Sequence, residues 1–404
     1  MNLKHKNCSV CKSKILKKIL SFGSQPLSNN FTKNINQKLY PLELMFCKNC
    51  LICHLSFFVD PKKIFTHYDY MSSISETTIN HFRKSIKKIT HRIKLEKNKS
   101  LIIDLGSNDG ISLTILKDLG FKRVLGIEPA KNLANLCKKK NLKVLNKFLD
   151  EKVGNKLKNS VDLLLAFNVF AHTNNIQSLF KNMLRILKSN GTIVVQVQST
   201  MDMIKNINFD NIYHEHYYYW TLMSLNNFVK SNNATIVDAE QLSLHGGSIR
   251  VFIKKNENGI NYKSTKRFYK LLKLEKNSNV HKIYTYKKFS KKIKDLKNIV
   301  INNILELKKK NVNRIIGYGA PAKASLSINY FNLSKKLEFV IDNNNLKQKK
   351  YIPGTTLIIK PLKELRKYKK IDLIIVLAWN YYKEIKSSLK KFPNKVISIK
   401  DLYQ

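Results

Sequence analysis

Acid is scarce in this chain, and arginine scarcer. Twenty-seven acidic residues face 74 lysines and arginines, a formal charge of +47, yet only eight of the basic residues are arginine. An arginine-rich stripe or a basic tail, the footprint of a phosphate-backbone binder, is missing, and the lysines are scattered. Asn and Ile are abundant alongside Lys, and all three have A/T-rich codons. Genome composition therefore accounts for the excess, and the surface reads as solvated and lysine-studded, with no nucleic-acid partner expected. No apolar run approaches the roughly 20 residues of a membrane helix, so no membrane association is expected. The opening MNLKHKNCSV lacks the apolar segment of a secretory signal, and a soluble cytoplasmic protein is the expectation. With 404 residues, 43% of them hydrophobic, the chain exceeds one ordinary core, and two or three domains are expected.

Cysteine is also rare, and its placement is uneven. Five of six fall within the first 53 residues: Cys8, Cys11, Cys47, Cys50 and Cys53. A C-x2-C followed 35 residues later by a second C-x2-C resembles a zinc site of four thiolates, each pair on a tight knuckle. Cys50 and Cys53 share the same spacing, so the register of the second pair is open. Assigning Cys8, Cys11, Cys47 and Cys50 leaves Cys53 as a packed thiol. Four thiolates leave no open position for a substrate, so such a zinc ion is structural. Cys137, alone in a helical stretch, reads as core.

Residues 1–75 read as short strands and turns around the cysteines, and 76–98 carry helical spacing with a basic outer face. Next, LIIDLGSNDG, KRVLGIEPA, NKFL, VDLLLAFNVF and NGTIVVQVQS supply strand-like runs with helices between them. Such alternation specifies a parallel α/β sheet. A basic amphipathic stretch around 261–310 looks like a helical linker. From Asn313 a second, smaller alternation begins with RIIGYGAPAKAS, LEFVIDNN and IDLIIVLAWN. The expected division is 1–75, 76–255, 256–310 and 311–404.

Chemistry starts at the first glycine turn. In Asp104-Leu-Gly106-Ser-Asn108-Asp-Gly110 a strand meets a helix, and glycines let the backbone approach a ligand at the helix N-terminus. The G-x-G-x-x-G dinucleotide fingerprint is absent. Glu128 ends the next strand, 24 residues after Asp104, where an acid can accept both hydroxyls of a ribose. Together these features suit an adenosine-type cofactor, with NAD still open on the physics. Farther on, Tyr213-His214-Glu215-His216 crowds four proton-active side chains into consecutive positions. Buried histidines and carboxylates must be paired or they destabilise a fold, so the cluster reads as an active site.

The D-x-G-x-N-D-G loop with GIEPA resembles class I S-adenosylmethionine-dependent methyltransferases. More narrowly, LSFGSQPLSNNF, YPLELMFCKNC, YDYMSSIS, IIDLGSNDG, NVFAH, FDNIYHEH, LHGGSIRVF, GYGAPAKAS and YIPGT follow one another as in the sugar C-methyltransferase family. That family methylates nucleotide-linked 4-keto-deoxysugars. The resemblance implies a small zinc-binding N-terminal domain, a central Rossmann-like methyltransferase domain and a second Rossmann-like domain at the C-terminus. It implies Asp104, Gly106 and Asn108 around the methionine part of the cofactor and Gly110 in the same cofactor-binding set, with Glu128 on its ribose and Asn168 bordering the pocket. Tyr213, Glu215, His216 and nearby His172 become the reactive set, and Tyr68 and Tyr70 would close over the sugar. The expected step is methylation of the carbon beside the ketone, C3, through an enolate.

His216 is the expected general base, because an imidazole titrates near neutrality. Glu215 is the expected orienting or charge-balancing partner of that base, and Tyr213 a hydrogen-bond donor to the enolate oxygen. On a strand His214 and His216 would point to opposite sides, leaving His214 to packing. His245 and Arg250, in HGGSIR, suit either a phosphate seat or a strand start with an ion pair. Lys323, at a strand-to-helix junction, suits the substrate's phosphates. Where the family shows Glu-x-Pro-His, this chain has Gln196, Gln198 and Ser199, a departure at the expected cleft. Other classes remain: an O- or N-methyltransferase acting on a substrate such as nucleic acid, or a non-catalytic scaffold. Against the nucleic-acid reading, the chain has no Asn-Pro-Pro-Tyr-type loop for a flipped base and no aromatic–arginine stripe.

Overall fold

The cysteine-bearing segment folds on a long antiparallel hairpin, β1 (Leu16–Pro26) and β2 (Leu39–Cys47), followed by the short β3 (Cys53–Leu55). These strands are longer than the short pieces expected of this region. In the computed structural model the described residues are 2–257, 260, 262–368, 371–390, 392 and 394–404, with the side chains of Ile74 and His245 outside the description. Each C-x2-C closes in a tight turn whose next residue is left-handed, Lys12 at φ 62° and Leu51 at φ 65°.

The helix α1 (Glu76–Ile93), capped by the Ser75 side chain, leads into a seven-stranded sheet. Its parallel part consists of β4 (Leu101–Leu105), β5 (Arg123–Ile127), β6 (Val144–Leu145), β7 (Val161–Phe167) and β8 (Leu187–Gln198). Helices α2 (Ile111–Asp118), α3 (Lys131–Lys139) and α4 (Ile176–Ile186) lie between them. Strands such as LIIDL and VDLLLAF are almost continuously apolar because helices cover both faces. The NKFL run is not a strand; pairing stops at Leu145, and Phe148 is largely exposed.

One short strand leaves this sheet. β9 (Tyr218–Tyr219) pairs with β3, completing a four-stranded sheet with the cysteine hairpin. Phe58, Tyr217, Tyr218 and Trp220 are buried along that seam, each large apolar body worth about 2 kcal/mol or more. Two antiparallel strands, β10 (Ala234–Leu242) and β11 (Ser248–Lys255), then finish the large sheet in the order β10-β11-β8-β7-β4-β5-β6. Strand order reverses between β4 and β7, and a ligand crevice forms at such a switch point.

The stretch expected as a helical linker holds two helices, α5 (Lys266–Asn277) and the 27-residue α6 (Ile283–Lys309). A five-stranded parallel sheet follows, built from β12 (Ile315–Tyr318), β13 (Val340–Ile341), β14 (Ile359–Lys360), β15 (Leu373–Val376) and β16 (Lys395–Ser398). Its order, β14-β13-β12-β15-β16, repeats the switch-point arrangement, and helix α7 (Ala322–Tyr330) starts beside it.

Candidate active site

A cavity of about 610 Å³ opens at the strand ends of the large sheet, and segments next to the other two sheets, within residues 29–70 and 321–381, complete its wall. The glycine turn forms one wall. Gly106 sits at φ +70°, and a Cβ there would come within 2.8 Å of Val169 Cγ2, so the backbone needs glycine at this point. Asp104 at the end of β4 is buried, which pushes its carboxyl up to about 7. Glu128 accepts the Asn108 and Ala130 amides, both at 2.8 Å, and burial raises its pKa while those amides hold it down. Asn168 Oδ1 is buried with no hydrogen-bond partner among the described residues. An acid on a fixed frame, an unsatisfied amide oxygen and a glycine-bared backbone fit a polar adenosyl cofactor. Asp104, Gly106, Asn108, Glu128 and Asn168 line the cavity. Gly110 does not: it starts α2 at φ +86° and packs against Leu142 and Cys137 behind the loop.

The Tyr-His-Glu-His cluster lies on a turn, not a strand, closed by the His216 amide donating to the Tyr213 carbonyl at 2.9 Å. This brings residues three apart together, and Tyr213 Oη stands 3.0 Å from His216 Nε2. His216 Nδ1 donates to the Asn211 carbonyl at 2.8 Å, so in the neutral ring Nε2 carries the lone pair. Both side chains line the cavity. His172 lies alongside, its ring centroid 5.0 Å from that of His216, and burial lowers its pKa to about 4. His172 is therefore neutral at pH 7. His214 is buried against the Tyr40 carbonyl, the packing role expected of it.

Glu215 is not the orienting partner of His216. Its carboxylate accepts Asn29 Nδ2 at 2.8 and 2.9 Å and the Tyr68 hydroxyl at 2.6 Å. Burial drives the Glu215 pKa up to about 7 against these donors. Tyr68 and Tyr70 line the cavity as expected, and so does Asn29, which the sequence reading missed. Its only signal was membership of LSNNF. Lys347, also missed, stands in a lysine-rich run with no distinguishing pattern; it is buried, lines the cavity, and donates to the Ala320 carbonyl at 2.8 Å.

Lys323 reaches the cavity from the start of α7. Its ammonium lies 4.5 Å from the Trp379 ring centroid, has no hydrogen-bond partner among the described residues, and titrates near 8 because it is buried. Arg250 is elsewhere. It sits in the sheet interior, 1% exposed, ion-paired to Glu240 at 3.2 Å and bonded to Gln196 at 2.8 Å. Of the two readings open for Arg250, the ion pair holds and the substrate-binding one does not, and the pair is buried rather than on the surface because its strand points the guanidinium under α1. The His245 side chain lies outside the described residues. Of the departing residues, Gln198 lines the cavity, Gln196 holds Arg250, and Ser199 caps the helix at 200–205.

The sulfurs of Cys8, Cys11, Cys47 and Cys50 all lie within 4.8 Å of one another. Cys8–Cys50 and Cys11–Cys47 are 3.7 and 3.6 Å apart. A tetrahedral zinc ion with bonds of about 2.3 Å needs sulfur separations of about 3.8 Å, so the set fits. This settles the register: Cys50 joins the cluster, while Cys53 is buried in the core.

Three family models match the chain in succession. They are a zinc binding domain over residues 8–65, a methyltransferase domain over 79–239 and a C-methyltransferase C-terminal domain over 243–398. C-methyltransferase NovU of Streptomyces niveus is 29% identical over 396 residues, covering 95% of this chain and 92% of the relative. Among solved structures, an S-adenosylmethionine-dependent methyltransferase from Clostridium acetobutylicum aligns over 44% of this chain and 92% of that one, with 11% identity and a TM-score of 0.36. The 1,6-didemethyltoxoflavin-N1-methyltransferase of Burkholderia thailandensis aligns over 45% and 80%, with 13% identity and a TM-score of 0.36.

Proposed function

Because this chain is an S-adenosylmethionine-dependent methyltransferase of the C-methyltransferase type, with a zinc-binding domain ahead of its methyltransferase sheet, we propose that it methylates a ketosugar at carbon. The substrate is a nucleotide-linked 4-keto-deoxysugar, and the methyl goes to C3, beside the ketone. One observation carries this reading: a tautomer-fixed imidazole and a phenol, 3.0 Å apart, open into the same cavity as the Asp104–Glu128 cofactor frame.

A carbon beside a ketone becomes a nucleophile when its proton is removed. His216 Nε2 takes that proton, since Nδ1 is already committed to the Asn211 carbonyl. The electron pair moves to the ketone oxygen, toward which the Tyr213 hydroxyl turns from Nε2 to donate a hydrogen bond. S-adenosylmethionine, when bound, supplies an electrophilic methyl on its sulfonium sulfur for that carbon to attack. Asp104, Gly106 and Asn108 hold its methionine part, Glu128 its ribose hydroxyls, and Asn168 the inner edge; Gly110 shapes the turn. Neutral His172 lines the sugar side with Tyr68, Tyr70 and Asn29.

Lys323, beside the first turn of α7, receives the substrate's phosphates. Cys8, Cys11, Cys47 and Cys50 hold a structural zinc. On this reading 1–75 is the zinc-binding part, 76–255 the methyltransferase, 256–310 the helical linker and 311–404 the second Rossmann-like part, in a cytoplasmic enzyme with no nucleic-acid partner. No helix among the described residues is long and apolar enough to cross a membrane.

Incubation with S-adenosylmethionine and a nucleotide-linked 4-keto-6-deoxysugar tests the proposal. The expected product gains one methylene in mass, with the new methyl attached to carbon by NMR. A methyl attached to oxygen would overturn it.

A further inference from the structure

Residues 213–219 face two ways. Tyr213 and His216 line the cavity, while their neighbours are gripped by the cysteine-bearing sheet. His214 Nε2 lies 3.2 Å from the carbonyl of Tyr40, a residue of β2. Glu215 takes Asn29 and Tyr68. The Tyr217 hydroxyl donates to the Val59 carbonyl at 2.6 Å, and its own carbonyl accepts the Leu55 amide at 2.9 Å. Tyr218 and Tyr219 then pair with His54 and Cys53.

The strand they pair with is short. β3 has three residues, too few to hold a position alone, and it begins three residues after Cys50, while β2 ends at Cys47. The second cysteine knuckle therefore sets the place of β3, and β3 sets the place of β9. The cofactor frame is built differently. Asp104, Glu128 and Asn168 stand at the ends of strands in the large sheet, and Glu128 is held by amides of Asn108 and Ala130. The segment over that frame is fixed from the sheet side, with the Ser72 amide on Asn108 and the Tyr68 amide on Asn132.

Resting on the assignment of Tyr213 and His216 as the proton-transfer pair, we propose that the zinc-binding domain positions that pair. Asn29 and Glu215 are positioning residues, and metal occupancy is a condition for proton abstraction but not for cofactor binding. The zinc site acts on catalysis through β3 and β9, although its four thiolates touch neither substrate nor cofactor.

The test uses the full chain in three forms: metal-loaded, stripped with a chelator, and metal-loaded Asn29→Ala. Amide hydrogen exchange is followed over 211–219 and 104–110, and S-adenosylhomocysteine affinity by calorimetry. Stripping is expected to speed exchange over 211–219 by about tenfold or more, leaving 104–110 unchanged. S-adenosylhomocysteine affinity should stay within about threefold, and returned Zn2+ should restore protection. Asn29→Ala, with all four thiolates intact, is expected to lower kcat about tenfold with KM for S-adenosylmethionine unchanged. Unchanged protection over 211–219 on stripping, or parallel loss of S-adenosylhomocysteine binding, overturns the inference. So does an Asn29→Ala protein with wild-type kcat and wild-type exchange. A metal-loaded wild type that neither deuterates nor methylates the ketosugar refutes the functional assignment instead, and the exchange data still decide the positioning role.

Discussion

The His216 ring is fixed by its own contacts: Nδ1 donates to the Asn211 carbonyl, which places Nε2 beside the Tyr213 phenol. Replacing His216 by Asn should lower turnover by about 10²- to 10⁴-fold while S-adenosylhomocysteine still binds, which calorimetry and steady-state rates check together. The pair was legible in the sequence because its members are three residues apart. The hydrogen-bond partners of Glu215 were not legible, because Asn29 lies 186 residues away and spacing carries no sign of it.

The charge state of Glu215 has a pH consequence. Burial raises its pKa to about 7 from an ordinary 4.5. A raised carboxyl binds its proton more tightly in the folded state, so its contribution to stability is complete below about pH 4.5 and is lost as pH rises through 7. The stability of wild type minus that of Glu215→Gln should therefore be larger at pH 5 than at pH 7.5 in urea denaturation; a difference independent of pH would contradict the assignment.

At the level of elements, His214 and His216 would have faced opposite sides on a strand, yet the chain turns there because the residues on either side are held by different parts of the fold. Tyr217 is fastened to Ala171 and Leu55, and the 209–211 segment closes under Trp379, whose indole donates to Asp210. No local pattern announces such a tertiary override. The glycine turn was legible, since a glycine between an apolar strand and a helical run marks a tight turn on its own. Gly106→Ala places a Cβ 2.8 Å from Val169 Cγ2 at a positive φ. It should weaken S-adenosylhomocysteine binding by about tenfold, the left-handed conformation alone costing about 1–2 kcal/mol. An affinity equal to wild type by calorimetry would show that the turn tolerates a side chain.

Across the whole molecule, alternating strands and helices announced the parallel parts of two sheets, though not the antiparallel pair that finishes the larger one, and paired cysteines announced the metal set. The sequence could not show that segments beside all three sheets wall one cavity, because that depends on packing between segments hundreds of residues apart. Lys347 is the clearest case: a lysine among many, it is singled out only by burial in the cavity wall, whereas Lys323 was legible at its strand-to-helix junction but its place beside the Trp379 ring was not. Lys323→Ala should raise KM for the sugar nucleotide about tenfold or more with a smaller change in kcat, as expected for a group that binds phosphate away from the reacting carbon. A selective fall in kcat would place Lys323 in the chemistry instead.

The most direct test of the whole account is solvent deuterium exchange into the ketosugar. Wild type and His216→Asn would each be incubated in heavy water with a nucleotide-linked 4-keto-6-deoxysugar, with and without S-adenosylmethionine. The account predicts deuterium at the carbon beside the ketone with wild type alone, a methyl on that same carbon once cofactor is added, and loss of both in His216→Asn. Methylation that proceeds without exchange, or exchange and methylation that survive the loss of His216, would contradict it.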